Sequence, residues 1–136
     1  MRISVIIPVF DGAATLLRRL QDQSWALVTS NYAHRVRIRF ARTELPEPPL
    51  IIDAEAVSHG KPDPQGYLLA ARALGVDPKG CLVIEDSPAG VASARAAGAT
   101  VWAVNAATPM PGADRTYRTL NDAVSDVLEF AHSIGR

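Results

Sequence analysis

Three short polar segments of this sequence combine residue types that bind anions or cations. Gly60-Lys61-Pro62-Asp63-Pro64 pins a lysine between a glycine and a proline, immediately before a helix start. A lysine so restrained has little freedom left to lose and acts as a point charge on phosphate. A solvated lysine in a surface turn is the plainer reading. Glu85-Asp86-Ser87-Pro88-Ala89-Gly90 places two carboxylates side by side. Such a pair suits a hard divalent cation that takes oxygen ligands and keeps some of its waters. Asp86 or Ser87 could instead simply cap the following helix, but a cap needs one short acceptor and leaves Glu85 unexplained. Thr29-Ser30-Asn31 offers hydroxyls, an amide and backbone N–H groups to an oxyanion, or equally to a helix start.

The elements around these segments make them one candidate site. Apolar runs alternate with helical patterns, which predicts an α/β layered fold, Rossmann-like, with a mainly parallel sheet of about five strands. The strands are expected at Ile3–Phe10, Trp25–Thr29, Leu50–Ile52, Cys81–Ile84 and Val101–Val104. Helices are expected at Ala13–Leu20 and Tyr32–Thr43, from Asp63-Pro64 to Leu74, from Ser87-Pro88 to Ala97, and from Asn121 to Ile134. Gly75 and Gly98 stand where the third and fourth helices must stop. Each polar segment then lies past the carboxyl end of a strand, the edge where open α/β sheets bind ligands. Pro8 sits awkwardly in the first run, because it cannot donate to a ladder.

Composition narrows the functional classes. The 136 residues suit one domain, 1–136, without repeats or an internal linker. Fourteen lysines and arginines balance fourteen aspartates and glutamates, which argues against a broad grip on nucleic acid or an acidic membrane. The apolar run at Ile3–Phe10 is too short to span a bilayer, and its proline and single preceding arginine fit a secretory signal poorly. One cysteine, Cys81, rules out an internal disulfide or a multi-cysteine metal site. A cytoplasmic globular domain is the expectation. The basic helix Tyr32–Thr43 reads as a solvated face.

Taken in order, the segments resemble the haloacid dehalogenase (HAD) superfamily, in its sugar-phosphatase and phosphoglucomutase-like branch. Trp25-Ala-Leu-Val-Thr-Ser30 is similar to the family's second motif, Val57-Ser-His-Gly-Lys-Pro-Asp-Pro64 to its third, and Val83-Ile-Glu-Asp-Ser-Pro-Ala-Gly90 to its fourth. The resemblance implies a HAD-like three-layer core and Mg²⁺-dependent hydrolysis of a small phosphorylated sugar or polyol. It implies phosphate binding by Thr29 with Ser30 and Asn31, charge neutralisation by Lys61, and Mg²⁺ binding by Glu85 and Asp86. With both carboxylates as ligands, Asp86 is expected to matter more than Glu85, being the shorter and less able to swing aside.

The first motif of that family, Asp-x-Asp-Gly-Thr, supplies a nucleophile and a general acid/base. No Asp-x-Asp occurs in this sequence, and there is no room for the cap found between the first two motifs. Two alignments compete. Gly12-Ala-Ala-Thr-Leu-Leu17 matches the segment that follows the cap, so that the true first strand and cap are missing. Alternatively Phe10-Asp11-Gly12-Ala13 is a degenerate first motif, with Asp11 as nucleophile and Ala13 where the acid/base belongs. In the second case Ile3–Phe10 fills the central slot of the sheet. An empty slot would instead favour pairing with a second copy of the chain, which would complete the sheet. The chain is thus a HAD-like core, truncated or degenerate at its N-terminus. It is either a phosphatase, a catalytically silent phosphate- or metal-binding or interaction module, or a fragment of a longer phosphatase.

Two other resemblances fail. The opening Ile3-to-Leu16 stretch is similar to nucleotide-sugar glycosyltransferases, but no downstream acidic motif supports it. A receiver domain would place its paired acids before the threonine and lysine, whereas here they come last.

Overall fold

The computed structural model describes residues 2–5, 24–43 and 47–134. In chain order its elements are β1 (Arg2–Val5), β2 (Ser24–Val28), α1 (Ala33–Thr43), β3 (Ile51–Ile52) and α2 (Gln65–Leu74). A 3₁₀ turn (Pro78–Gly80) leads into β4 (Cys81–Glu85), followed by α3 (Pro88–Ala97), β5 (Thr100–Ala103), β6 (Arg115–Thr116) and α4 (Leu120–Ile134). The six strands form one sheet in the order β3-β2-β1-β4-β5-β6, with every pairing parallel.

β1 lies between β2 and β4, with Val5 opposite Leu27 on one side and Ile84 on the other. The central slot is therefore filled by the chain's own N-terminal residues, and the sheet runs unbroken. The expected helix Ala13–Leu20, the remainder of the Ile3–Phe10 run and Asp11 lie outside the described residues. The expectation of about five strands needs correcting to six among those described. β6 is two residues long and pairs with Trp102 and Ala103 of β5. So short a strand has no alternation to read in a sequence.

The strands are apolar because both faces of the sheet are covered. On one face Trp25, Leu27, Leu82, Ile84, Trp102 and Val104 pack against Val36 and Phe40 of α1 and Ala123, Val124 and Val127 of α4. On the other face Ala26, Val28, Val83, Val101 and Ala103 meet Tyr67 and Ala70 of α2 and Val91, Ala94 and Ala97 of α3. The result is a three-layer α/β sandwich. Small residues on α2 and α3 let that layer sit close to the sheet. Ser87 caps α3, its Oγ accepting from the Gly90 N–H at 3.0 Å, with Pro88 in the first turn as its sequence predicts. Gly75 and Gly98 end α2 and α3 in the left-handed conformation, at φ 74° and 92°. No helix among the described residues is long and apolar enough to cross a membrane.

Burial sets a first prediction on α1. Phe40 is 2% exposed and Ile38, on the same helix, 51%. Phe40→Ala should lower the unfolding free energy by about 3–5 kcal/mol, through lost transfer energy and the cavity left behind. Ile38→Ala should change it by no more than about 0.5 kcal/mol. Urea unfolding of the two variants checks the contrast.

Candidate functional site

Parallel strands bring like ends together, and the polar segments meet at the carboxyl edge of β2 and β4. Leu27 and Ile84 lie in one row across the sheet, so Thr29 and Glu85 follow at the same edge. Lys61 joins them: its Nζ donates to the Val28 carbonyl at 3.3 Å and to Glu85 Oε2 at 3.1 Å. One ammonium group thus touches the end of the strand leading into Thr29 and the carboxylate at the end of β4. A lysine in a solvated surface turn is excluded by this position, with its side chain only 13% exposed. Burial pulls the Lys61 amine below its ordinary pKa, while the charge and hydrogen bond of Glu85 oppose that shift.

Glu85 is 1% exposed, and both of its oxygens accept hydrogen bonds. Oε2 accepts from Lys61 Nζ and from the Tyr67 hydroxyl at 2.7 Å. Oε1 accepts from the Asp86 N–H at 2.9 Å and from both the N–H and hydroxyl of Ser87 at 3.3 Å. A buried carboxylate must be compensated in this way, because removing it from water costs several kcal/mol. Burial also drives the Tyr67 hydroxyl well above its usual pKa, with the Glu85 charge adding to the effect.

Asp86 is the contrasting case. It is half-buried, and its carboxyl is pushed up to about 6, first by desolvation and then by hydrogen bonding to and repulsion from Glu85. An anion under this pressure is relieved by a cation at the same edge. The donor set therefore fits a hard divalent ion at Asp86, with Glu85 adjacent but already engaged at both oxygens. Among the described residues no group of three carboxylate, imidazole or thiol side chains gathers.

The remaining expected residues serve their own loop. Thr29 Oγ1 accepts from the Asn31 N–H at 3.0 Å, and Asn31 Oδ1 from the Tyr32 N–H at 2.8 Å. Ser30 is exposed at the edge. Asp53 ties this loop to β3: its Oδ2 accepts from Ala33 N–H at 2.9 Å at the start of α1, and the Ala54 N–H donates to the Asn31 carbonyl at 3.0 Å. The Lys61 turn is held from both sides. Gln65 Oε1 accepts from the Ser58 and His59 N–H groups, and the buried Ser93 hydroxyl donates to the Asp63 carbonyl at 2.6 Å.

Sequence reasoning missed Tyr67, Asp53, Gln65 and Ser93, and quoted Gly90 without a reason for it. A Cβ at Gly90 would fall on the Glu85 carboxylate. The available signal was a glycine inside the first turn of a helix, where it costs about 1 kcal/mol relative to alanine. A close approach explains why glycine stands there.

The family model described as haloacid dehalogenase-like hydrolase matches residues 2–98. The chain belongs to this family. It is 45% identical over 107 residues to hexitol phosphatase A of Escherichia coli K12, covering 77% of this chain and 50% of that protein. It is 38% identical over 78 residues to the β-phosphoglucomutase of Bacillus subtilis 168, covering 57% and 34%. Among solved structures, a HAD family hydrolase from Deinococcus radiodurans R1 with bound phosphate and sodium matches with a TM-score of 0.77 at 31% identity. That match covers 90% of this chain and 60% of the other. The chain spans half the length of the hexitol phosphatase and about a third of that of the mutase. It is thus homologous to HAD hydrolases of the sugar-phosphatase type.

Two outcomes follow from the site. Gly90→Ala must displace the Glu85 carboxylate from its donors, and should destabilise the fold by about 3–5 kcal/mol, the range for breaking a buried ion pair. Ala89→Gly, one residue away and exposed, should cost no more than about 1 kcal/mol; equal melting temperatures for the two variants would contradict the close approach. The second outcome concerns pH. Without metal the folded chain holds the Asp86 proton more tightly than the unfolded chain, whose carboxyl keeps a pKa of 3.8. Stability from this group is therefore gained as pH falls through about 6 and lost as pH rises through it. In chelator, Asp86→Asn should flatten that part of the pH profile of the melting temperature.

Proposed function

We propose that this chain carries the phosphate- and Mg²⁺-binding core of a phosphomonoester hydrolase acting on a small phosphorylated sugar or polyol. The observation that carries the reading is the Lys61 ammonium, held between the end of β2 and the end of β4. A phosphate at that edge meets the Lys61 charge, the Thr29 hydroxyl and the exposed Ser30. Asp86 would hold the metal. Glu85 keeps Lys61 in place and yields an oxygen to the metal only by giving up a donor. When bound, Mg²⁺ offsets the charge of the transferring phosphoryl group. The relatives named as a hexitol phosphatase and a β-phosphoglucomutase support the substrate class.

Asp11 is the candidate nucleophile: its carboxylate oxygen would bond to phosphorus as the ester oxygen leaves. Two positions further on stands Ala13, which can neither protonate a leaving group nor activate water. Turnover by this chain is accordingly slow, and a silent phosphate-binding module is the second reading, favoured by the lack of an Asp-x-Asp.

Calorimetric titration tests the binding reading. Inorganic phosphate should bind in the presence of Mg²⁺, and the affinity should fall by at least about tenfold in Lys61→Ala, the loss expected from one charged contact. Asp86→Asn should weaken Mg²⁺ binding more than Glu85→Gln, whereas Glu85→Gln should lower the melting temperature more. Phosphate binding indifferent to both Lys61 and Mg²⁺ would overturn the reading. p-Nitrophenyl phosphate, whose leaving group needs little protonation, tests Asp11. Asp11→Asn should abolish nitrophenolate release, and release at the wild-type level would remove Asp11 from the site.

A further inference from the structure

Lys61 has three N–H donors, and among the described residues two are engaged, by the Val28 carbonyl and by Glu85 Oε2. On the reading above, the third is the one a phosphate takes. Its direction depends on the other two staying fixed. The Val28 carbonyl is fixed by the sheet. Glu85 Oε2 is not part of any backbone ladder, and the donors from Asp86 and Ser87 hold only the other oxygen, Oε1. Beside Lys61, what holds Oε2 is the Tyr67 hydroxyl at 2.7 Å, the shortest hydrogen bond made by either carboxylate oxygen. Tyr67 is itself buried: it is 3% exposed, packed in the layer between α2 and the sheet, with the Lys61 ammonium 5.7 Å from its ring centre.

We infer that Tyr67 is a positioning residue for phosphate binding, its buried hydroxyl bracing Glu85 Oε2 so that Lys61 keeps one donor turned to the phosphate. This rests on the phosphate-binding reading. Without the hydroxyl, Oε2 has Lys61 as its one remaining partner among the described residues. The carboxylate can then follow the ammonium and draw it into a closer pair. The lysine would become a better partner for Glu85 and a poorer one for phosphate. Packing alone does not explain a hydroxyl here, since phenylalanine fills the same volume.

The test is Tyr67→Phe in this chain, read two ways. The dissociation constant for inorganic phosphate with Mg²⁺ should rise about tenfold, the size of one hydrogen bond to a charged group. The ¹⁵N signal of the Lys61 ammonium, identified by its loss in Lys61→Arg, should move. A purely structural tyrosine would lower the melting temperature while leaving both unchanged at temperatures where the protein is folded, and that result overturns the inference. If Lys61→Ala leaves phosphate binding intact, the phosphate reading fails by itself, and an unmoved ammonium signal still decides against Tyr67. Should Tyr67→Phe not fold, uniform replacement of tyrosine by 3-fluorotyrosine keeps the ring and the hydroxyl and makes the hydroxyl a stronger donor. The Lys61 signal should move there too, and failure to move counts against the brace.

Discussion

A carboxylate with almost no access to water sits at the end of the strand next to the centre of the sheet, and the surrounding structure is arranged to satisfy it. Glu85 takes donors from its own loop, from the Lys61 turn and from α2. Each comes from a different stretch of chain, so the interaction holds three segments to one sheet edge. Apolar packing is non-directional and could not specify that meeting to within a hydrogen bond. The layers supply the stability, and the carboxylate supplies the alignment. The same requirement reaches into α3, where Gly90 must lack a side chain so that the helix can start against the carboxylate.

The two faces of the sheet differ in a way that follows from this. Under α1 and α4 the contacts are made by large side chains, including Trp25, Trp102 and Phe40. Under α2 and α3 they are made by alanines, valines, one isoleucine and one tyrosine. Close approach on the second face brings the Tyr67 hydroxyl within reach of Glu85 and lets the Ser93 hydroxyl reach the Asp63 carbonyl. Larger residues on α3 would push the helix away and strand the buried polar groups without partners, which costs more than the packing would return. The small-residue face is thus a condition of the polar site.

Much of this was legible in the sequence, for identifiable reasons. The parallel α/β class followed from apolar runs alternating with capped helices. The candidate residues Thr29, Lys61, Glu85 and Asp86 stood out because each followed a strand end. What escaped notice was contact across long sequence separations. Tyr67 looks like any aromatic on a helical apolar stripe, and nothing local says that its hydroxyl finds Glu85. β6 has two residues and no periodicity, and its place is set by the neighbouring Trp102 and Ala103. Pro8 argued against a central first strand, yet Arg2–Val5 pairs on both sides before the proline is reached.

Glu85 and Asp86 separate what the fold requires at this edge from what the proposed metal binding would use. Every polar atom of Glu85 is matched inside the protein, so its retention needs no ligand and no turnover. A chain that had lost its nucleophile would still need Lys61, Glu85, Tyr67 and Gly90 to keep this edge folded. Their presence therefore does not by itself argue for catalysis. Asp86 is different: it is partly desolvated, crowded by a neighbouring carboxylate and held above its ordinary pKa. Asparagine would occupy the position without the repulsion. On the proposed reading, a destabilised anion of this kind is one that a cation at the edge would relieve. The proposed phosphate binding therefore rests on Lys61, the proposed metal binding on Asp86, and the alignment of the edge on Glu85.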